Sequence, residues 1–243
     1  MDDQLKINDF HIHIGKSDDP QYDINLERLL FFKKHNDIDK MLIMGSHLNP
    51  EADNESVKQY TKEDGIYGLH WWTTESNDIK FDDKIVGIKY HGAYLKRPVT
   101  SMDSHVLETM DKHKKILLVH CGRYLEARPV SNTAFTHALQ VAQSYRHIKV
   151  VLAHMGGTDR KICKEAIDAA VVNDGSVYFD TSGITTPSII EYACNKLPCT
   201  RILFGSDWPW CGFKSMYHNV YDALINDLTK QDILYNNFEM LLR

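Results

Sequence analysis

Near the N-terminus, the segment Asp9-Phe10-His11-Ile12-His13-Ile14-Gly15 sets two imidazoles two residues apart. Its aromatic and β-branched residues make a short strand, which Gly15 ends. Side chains two apart on a strand share a face. The spacing therefore predicts His11 and His13 on one face, with Phe10, Ile12 and Ile14 on the other. Two neutral imidazoles side by side are half of a metal site, because imidazole is a common ligand for zinc and similar ions. Two polar residues on a half-buried strand look the same, and on HxH alone that plainer explanation has the advantage. The balance shifts because three later segments end in residues of the same chemical type: His120, His154 and Asp207.

Those segments belong to a regular alternation. Apolar runs at 40–46, 66–72, 85–91, 115–121, 148–154, 176–180 and 201–207 read as strands, which with the first makes eight. Helical spacing or helix signals mark 25–36, 51–64, 102–114 and 132–145. A further helix follows Gly157, with Thr158 or Asp159 as its N-cap, and Thr186-Pro187 opens another. The chain ends in a helical stretch from Thr229, where Thr-Lys-Gln-Asp resembles a capping box. The strands are continuous apolar runs, as in parallel strands covered on both faces. Eight parallel βα units in ~250 residues predict a single (β/α)8 TIM barrel domain over 1–243. An open doubly wound sheet is the alternative, but no glycine-rich dinucleotide fingerprint follows the first strand. In a barrel, catalytic residues gather at the C-terminal ends of the strands. His11, His13, His120, His154 and Asp207 would then face one mouth. Each alone has a plainer use; the joint pattern is harder to dismiss. His35, His105, His113, His137, His147 and His218 fall on helices or loops and are read as surface or packing residues.

Composition narrows the function classes. The chain is 43% hydrophobic and 25% charged, as an ordinary globular protein is. A net charge of −5 without a basic block argues against nucleic acid and against an anionic membrane surface. Apolar runs such as Ile116-Leu117-Leu118-Val119 are too short to span a bilayer. Met1-Asp2-Asp3 is acidic and no apolar signal segment follows it. Five cysteines without a CxxC pair fit free thiols in a reducing cytoplasm, the expected location.

DFHIHIG, GIKYH, LLVHCG, VVLAHMGG and ILFGSDWPW occur in this order between residue 9 and about residue 210. Together they resemble the amidohydrolase-related family. This is the branch of the metal-dependent amidohydrolase superfamily that includes aminocarboxymuconate semialdehyde decarboxylase, resorcylate decarboxylases and several lactone and amide hydrolases. The resemblance implies a barrel holding one divalent metal, with His11, His13, His120 and Asp207 as ligands. It also implies that His154 acts on the substrate. In some branches a lysine on the fourth strand is carboxylated and bridges two metals. The GIK-type motif here implies a single metal, zinc with manganese as a substitute, and an unmodified Lys89.

Three imidazoles and a carboxylate would leave room for a water whose pKa a zinc-like ion lowers to ~7. Asp207 can accept that water's proton, and His154 can hydrogen-bond a substrate oxygen or protonate a leaving group. Trp71, Trp72, Trp208 and Trp210 are placed to wall a pocket, with Trp71 and Trp208 as the main substrate contacts. Lys89 and Arg123 are placed to hold a carboxylate. The same Trp and Arg residues would also suit a contact between copies of the chain in a homo-oligomer. Short loops after the strands point to a small substrate. Hydrolysis of a small ester, lactone or amide is the preferred activity. Non-oxidative decarboxylation of a small unsaturated or aromatic acid on the same residues is the alternative. A non-catalytic metal- or ligand-binding barrel ranks third, because all five positions keep reactive side chains.

Overall fold

The computed structural model describes residues 5–74, 79–122, 130–173 and 177–243. Its strands are β1 (Ile7–His13), β2 (Ile38–Met44), β3 (Ile66–Trp71), β4 (Ile85–Tyr90), β5 (Ile116–Val119), β6 (Lys149–Leu152), β7 (Val177–Asp180) and β8 (Ile202–Leu203). They form one sheet in chain order, and every neighbouring pair is parallel. The segment after β8 then returns to β1. Phe10 N donates to Phe204 O at 2.8 Å, Asp207 N to His11 O at 2.9 Å, and His13 N to Trp208 O at 2.8 Å. This closure makes the fold a (β/α)8 TIM barrel and rules out the open sheet.

Helices α1 (Leu26–His35), α2 (Pro50–Tyr60), α3 (Gly92–Leu95), α4 (Ser104–Lys112), α5 (Phe135–Ser144), α6 (Arg160–Val171), α7 (Pro187–Lys196), α8 (Phe213–Tyr221), α9 (Asp227–Gln231) and α10 (Asn237–Leu241) fill the connections. Asp159 caps α6, and Thr186-Pro187 supplies the cap and first residue of α7. Two helices, α3 and α8, have no counterpart in the sequence reading. The last helical stretch also starts earlier than expected. Asn226, not Thr229, is its cap, because the Asn226 side chain accepts from Thr229 N at 2.9 Å. No helix among the described residues is long and apolar enough to cross a membrane.

The core has two layers. Ile12, Ile43, Ile88, Leu117, Val150 and Phe179 face the helices and pack with residues such as Leu29, Val57 and Ile167. Leu42, Leu69, Leu118, Val151 and Leu203 fill a separate inner cluster with Phe238 and Leu241 of α10. Phe10 departs from the alternation predicted for it. It belongs to the inner cluster, edge-on to Phe238 at 5.6 Å, while Ile12 and Ile14 lie in the outer one. The cause is a bulge: Asp9 pairs with Met41 and Ile12 with Ile43, so β1 spends three steps on two of β2.

Asp9 holds the bulge together and is fully buried. Its Oδ1 accepts from His11 N at 3.1 Å and from Ser206 N at 2.9 Å. Burial outweighs these bonds and pushes its carboxyl up to about 7. A carboxyl raised from 3.8 to about 7 favours the fold below pH ~4, and that contribution is lost as pH rises through 7. The substitution Asp9→Asn would keep the acceptor oxygen without a charge to bury. In metal-free protein, the melting temperature of Asp9→Asn minus that of wild type should therefore grow between pH ~4.5 and ~7.5. Thermal unfolding followed by circular dichroism checks this, and a difference that is flat or falls with pH would refute it.

Candidate metal centre and its pocket

His11 and His13 both reach the inside of the barrel from β1, where they are 0% and 8% exposed. Their Nε2 atoms lie 3.2 Å apart, and each is 3.5 Å from Asp207 Oδ1. Gly205 permits the approach of the two strands, since a Cβ there would stand 2.8 Å from His11 Cβ. The partners of the other ring nitrogens assign the tautomers. His11 Nδ1 donates to Asp180 Oδ2 at 2.8 Å, and His13 Nδ1 donates to Gly45 O at 2.8 Å. Both Nε2 atoms therefore carry lone pairs.

Burial, reinforced by the nearby Lys89 ammonium, lowers the His11 pKa to about 4, so the ring is neutral at pH ~7. Burial alone would push the Asp207 carboxyl up. A hydrogen bond from His13 and the charge that His11, His154 and His13 bear when protonated outweigh it and hold Asp207 below the usual carboxylate range. Two lone pairs and an ionised oxygen thus converge within 4.8 Å of one another. Such a set repels itself until a cation sits between its members, and its N,N,O donors suit a zinc-like ion. The residues present fit a divalent metal.

His120 is not in that cluster of three. Its Nδ1 lies 3.2 Å from His154 Nε2, and its ring stacks on His91 at 4.0 Å and 13°. His154 Nδ1 is 3.0 Å from Ser182 O, which can only accept, so the His154 hydrogen is on Nδ1 and its lone pair on Nε2. His120 Nδ1 must then be the donor between the two rings, which leaves its own Nε2 with the lone pair that a ligand needs. Lys89 is buried with Nζ 3.2 Å from His11 Nε2, and burial lowers its pKa to about 8.

A cavity of about 370 Å³ opens above these groups. His13, His120, His154 and Asp207 lie in its lining, with Trp71, His91 and Trp210 among the walls. Trp71 is 1% exposed, and its indole Nε1 has no hydrogen-bond partner among the described residues. Trp208 does not line this cavity. Its ring stacks on Phe32 at 3.9 Å and 12° in the aromatic packing behind β1, and Trp210 takes the position at the wall. Trp72 lines a separate, smaller cavity. Arg123 lies outside the described residues. Not all the loops are short. Residues 14–25 follow β1 and bring Ser17, Asp18, Asp19 and Tyr22 to the rim.

Sequence reasoning passed over Asp180 and His91. Both end their strands as His154 and Asp207 do, in the segments SVYFD and GIKYH, and that position was the available signal.

The amidohydrolase family profile (Amidohydro_2) matches residues 74–243. The chain belongs to the amidohydrolase family. The match begins after β1, so it is the DFHIHIG motif and the geometry that bring His11 and His13 into the site. No curated protein sequence matches the chain.

Solved structures share its fold at low identity. A dihydroxybenzoic acid decarboxylase from a Polaromonas species, with bound manganese and 2-nitroresorcinol, is 15% identical with a TM-score of 0.71, over 97% of each chain. A proposed 2-pyrone-4,6-dicarboxylic acid hydrolase from Pseudomonas putida is 14% identical with a TM-score of 0.71, over 98% of each chain. A 2,6-dihydroxybenzoate decarboxylase in complex with 2,6-dihydroxybenzoate is 13% identical with a TM-score of 0.70, over 98% of this chain and 99% of the other. Proteins that share this fold thus include decarboxylases and a proposed hydrolase.

Removing a donor atom from the cluster should empty it. His13→Asn and Asp207→Asn are expected to hold far less metal than wild type after dialysis against trace zinc. His105→Asn, an exposed change on α4, should match wild type. Adding zinc at about 100 times its Kd to metal-free wild type should stabilise it by ~2.7 kcal/mol. Elemental analysis and thermal melts read both effects, and equal occupancy in all four proteins would rule out this site.

Proposed function

We propose that the chain is a single barrel domain over 1–243 that hydrolyses a small ester, lactone or amide with the help of one divalent metal. The observation that carries this reading is the convergence of the His11, His13 and Asp207 acceptor atoms on one another, beside a cavity that His13, Asp207 and His154 line. Zinc is the expected ion and manganese its substitute, held by His11, His13 and Asp207, with His120 as the further ligand implied by the family resemblance. Such an ion, when bound, would polarise a substrate carbonyl and lower the pKa of a water to ~7.

The residues of the chain do the rest. Asp207, ionised at neutral pH, accepts the first proton of the attacking water. His154 carries its fixed hydrogen on Nδ1, so a second proton can enter and leave only at Nε2, where it replaces the hydrogen bond accepted from His120 Nδ1. From there it reaches the leaving oxygen or nitrogen. Tyr22, Trp71 and Trp210 offer flat walls to a body of about one ring. The Asp18 and Asp19 carboxylates at the rim favour a neutral substrate over a dicarboxylate.

Decarboxylation of a small acid is the second reading. The buried Lys89 ammonium near His11 favours it, because it could offset the charge of a bound carboxylate.

A screen of esters, lactones, amides and aromatic acids, with carbon dioxide detection, separates the two readings. Release of carbon dioxide without hydrolysis would replace the first by the second. With the best substrate, His154→Asn should keep its metal and its fold but lose at least ~10²-fold in kcat/KM. If His154→Asn loses metal as readily as His13→Asn, His154 is a ligand and the role given to it here is wrong.

A further inference from the structure

We propose that Asp180 and Ser182, at the C-terminal end of β7, are a positioning pair that sets the tautomers of both His11 and His154. The pair would thereby hold the candidate metal ligand and the proton-handling imidazole in one fixed relation. Its catalytic meaning rests on the role proposed above for His154; its structural content does not.

Both residues are 0% exposed. The two oxygens of Asp180 divide the work. Oδ2 accepts from His11 Nδ1 at 2.8 Å. Oδ1 accepts from His154 N at 3.0 Å, from Ser182 N at 3.1 Å and from Ser182 Oγ at 2.5 Å. The Ser182 hydroxyl has one hydrogen, and Asp180 takes it. Toward the two imidazoles, the hydroxyl oxygen is therefore an acceptor. It lies 2.8 Å from His154 Nδ1 and 3.1 Å from His11 Nδ1, so it faces the N–H edge of both rings. The rings themselves stack at 5.4 Å and 29°. The Asp180 carboxylate and the Ser182 hydroxyl, together with Ser182 O at 3.0 Å from His154 Nδ1, thus collect the Nδ1 hydrogens of both histidines and leave the lone pair of each ring on Nε2.

The backbone supports the same arrangement. His154 stands in the left-handed region (φ 56°, ψ 41°), which a residue with a side chain rarely adopts. The bond from its N–H to Asp180 helps hold it there. Gly183, at φ +66°, lets the chain turn beneath the ring, where a Cβ would come within 3.2 Å of His154 Nδ1. The Asp-Thr-Ser-Gly run after β7 therefore has a local reason for three of its four residues.

Ser182→Ala tests the pair with little loss of volume, and Ser182→Thr restores the hydroxyl. In metal-free protein at pH ~8, nitrogen-resolved NMR of isotope-labelled histidine rings should show His154 protonated on Nδ1 in wild type and in Ser182→Thr. In Ser182→Ala only the backbone carbonyl of residue 182 remains as acceptor at His154 Nδ1, so a minor Nε2–H form should appear beside the Nδ1–H form. With zinc restored, its kcat should fall ~10–100-fold with KM within about threefold of wild type, and threonine should recover most of the loss. A His154 that stays entirely Nδ1–H in Ser182→Ala, with unchanged kcat, overturns the proposal. So does a loss of zinc without any change at His154, because the pair would then serve His11 alone. If instead the tautomer shifts while His154→Asn turns over normally, the positioning pair stands and the role given to His154 falls.

Discussion

The seam where the chain returns from β8 to β1 is the constraint on which the site depends. β8 itself is only Ile202–Leu203, and no local turn links the last strand of a parallel barrel to the first. The join is made by backbone bonds from Phe10, His13 and Asp207 and by the Asp9 carboxylate, which bridges His11 N and Ser206 N. Asp9 and Ser206 are 197 residues apart in the chain. Because Asp207 is tied to His11 O, its carboxylate arrives beside two imidazoles from the opposite end of the sequence. The buried carboxyl of Asp9, driven up to about 7, is the cost of that stitch.

Past the seam, the barrel departs from relaxed geometry where the chemistry is. His154, Met155 and Asp207 all have positive φ, at 56°, 53° and 58°. Non-glycine residues in this region persist only when their surroundings over-determine them, and such residues cluster at active sites. The hydrogen-bond network supplies the over-determination. Asp180 holds the His154 backbone, and Asp207 N is held by His11 O. The two departures turn His154 into the cavity and Asp207 toward His11 and His13, where a regular strand would have carried the chain past them.

Membership of the amidohydrolase family does not choose between hydrolysis and decarboxylation, because both reactions occur on this barrel and activity resides in the site rather than in the fold. The cavity walls are where a substrate would be distinguished. Here they are aromatic at Tyr22, Trp71 and Trp210 and acidic at the rim, and the segment after β1 supplies Asp18, Asp19 and Tyr22. Loops that vary over a constant floor are the usual way this fold changes substrates.

The sequence by itself determined the architecture and most of the floor of the site. Continuous apolar runs alternating with helical periods specify a parallel βα series, and the ends of such strands in a barrel must share one mouth. That is why His11, His13, His120, His154 and Asp207 could be brought together from their positions alone. The family resemblance added the expected ligand role of His120, which the folded chain places against His91 and His154. What only the tertiary structure decided depends on register and on competition between neighbours. The extra step of β1 at the Asp9 bulge moved Phe10 inward, against the local alternation. Phe32 captured the ring of Trp208 and left the pocket wall to Trp210. Asp180 and Ser182 looked like the end of an ordinary strand, because their partners lie 26 to 171 residues away and no local pattern encodes a hydrogen bond across the barrel.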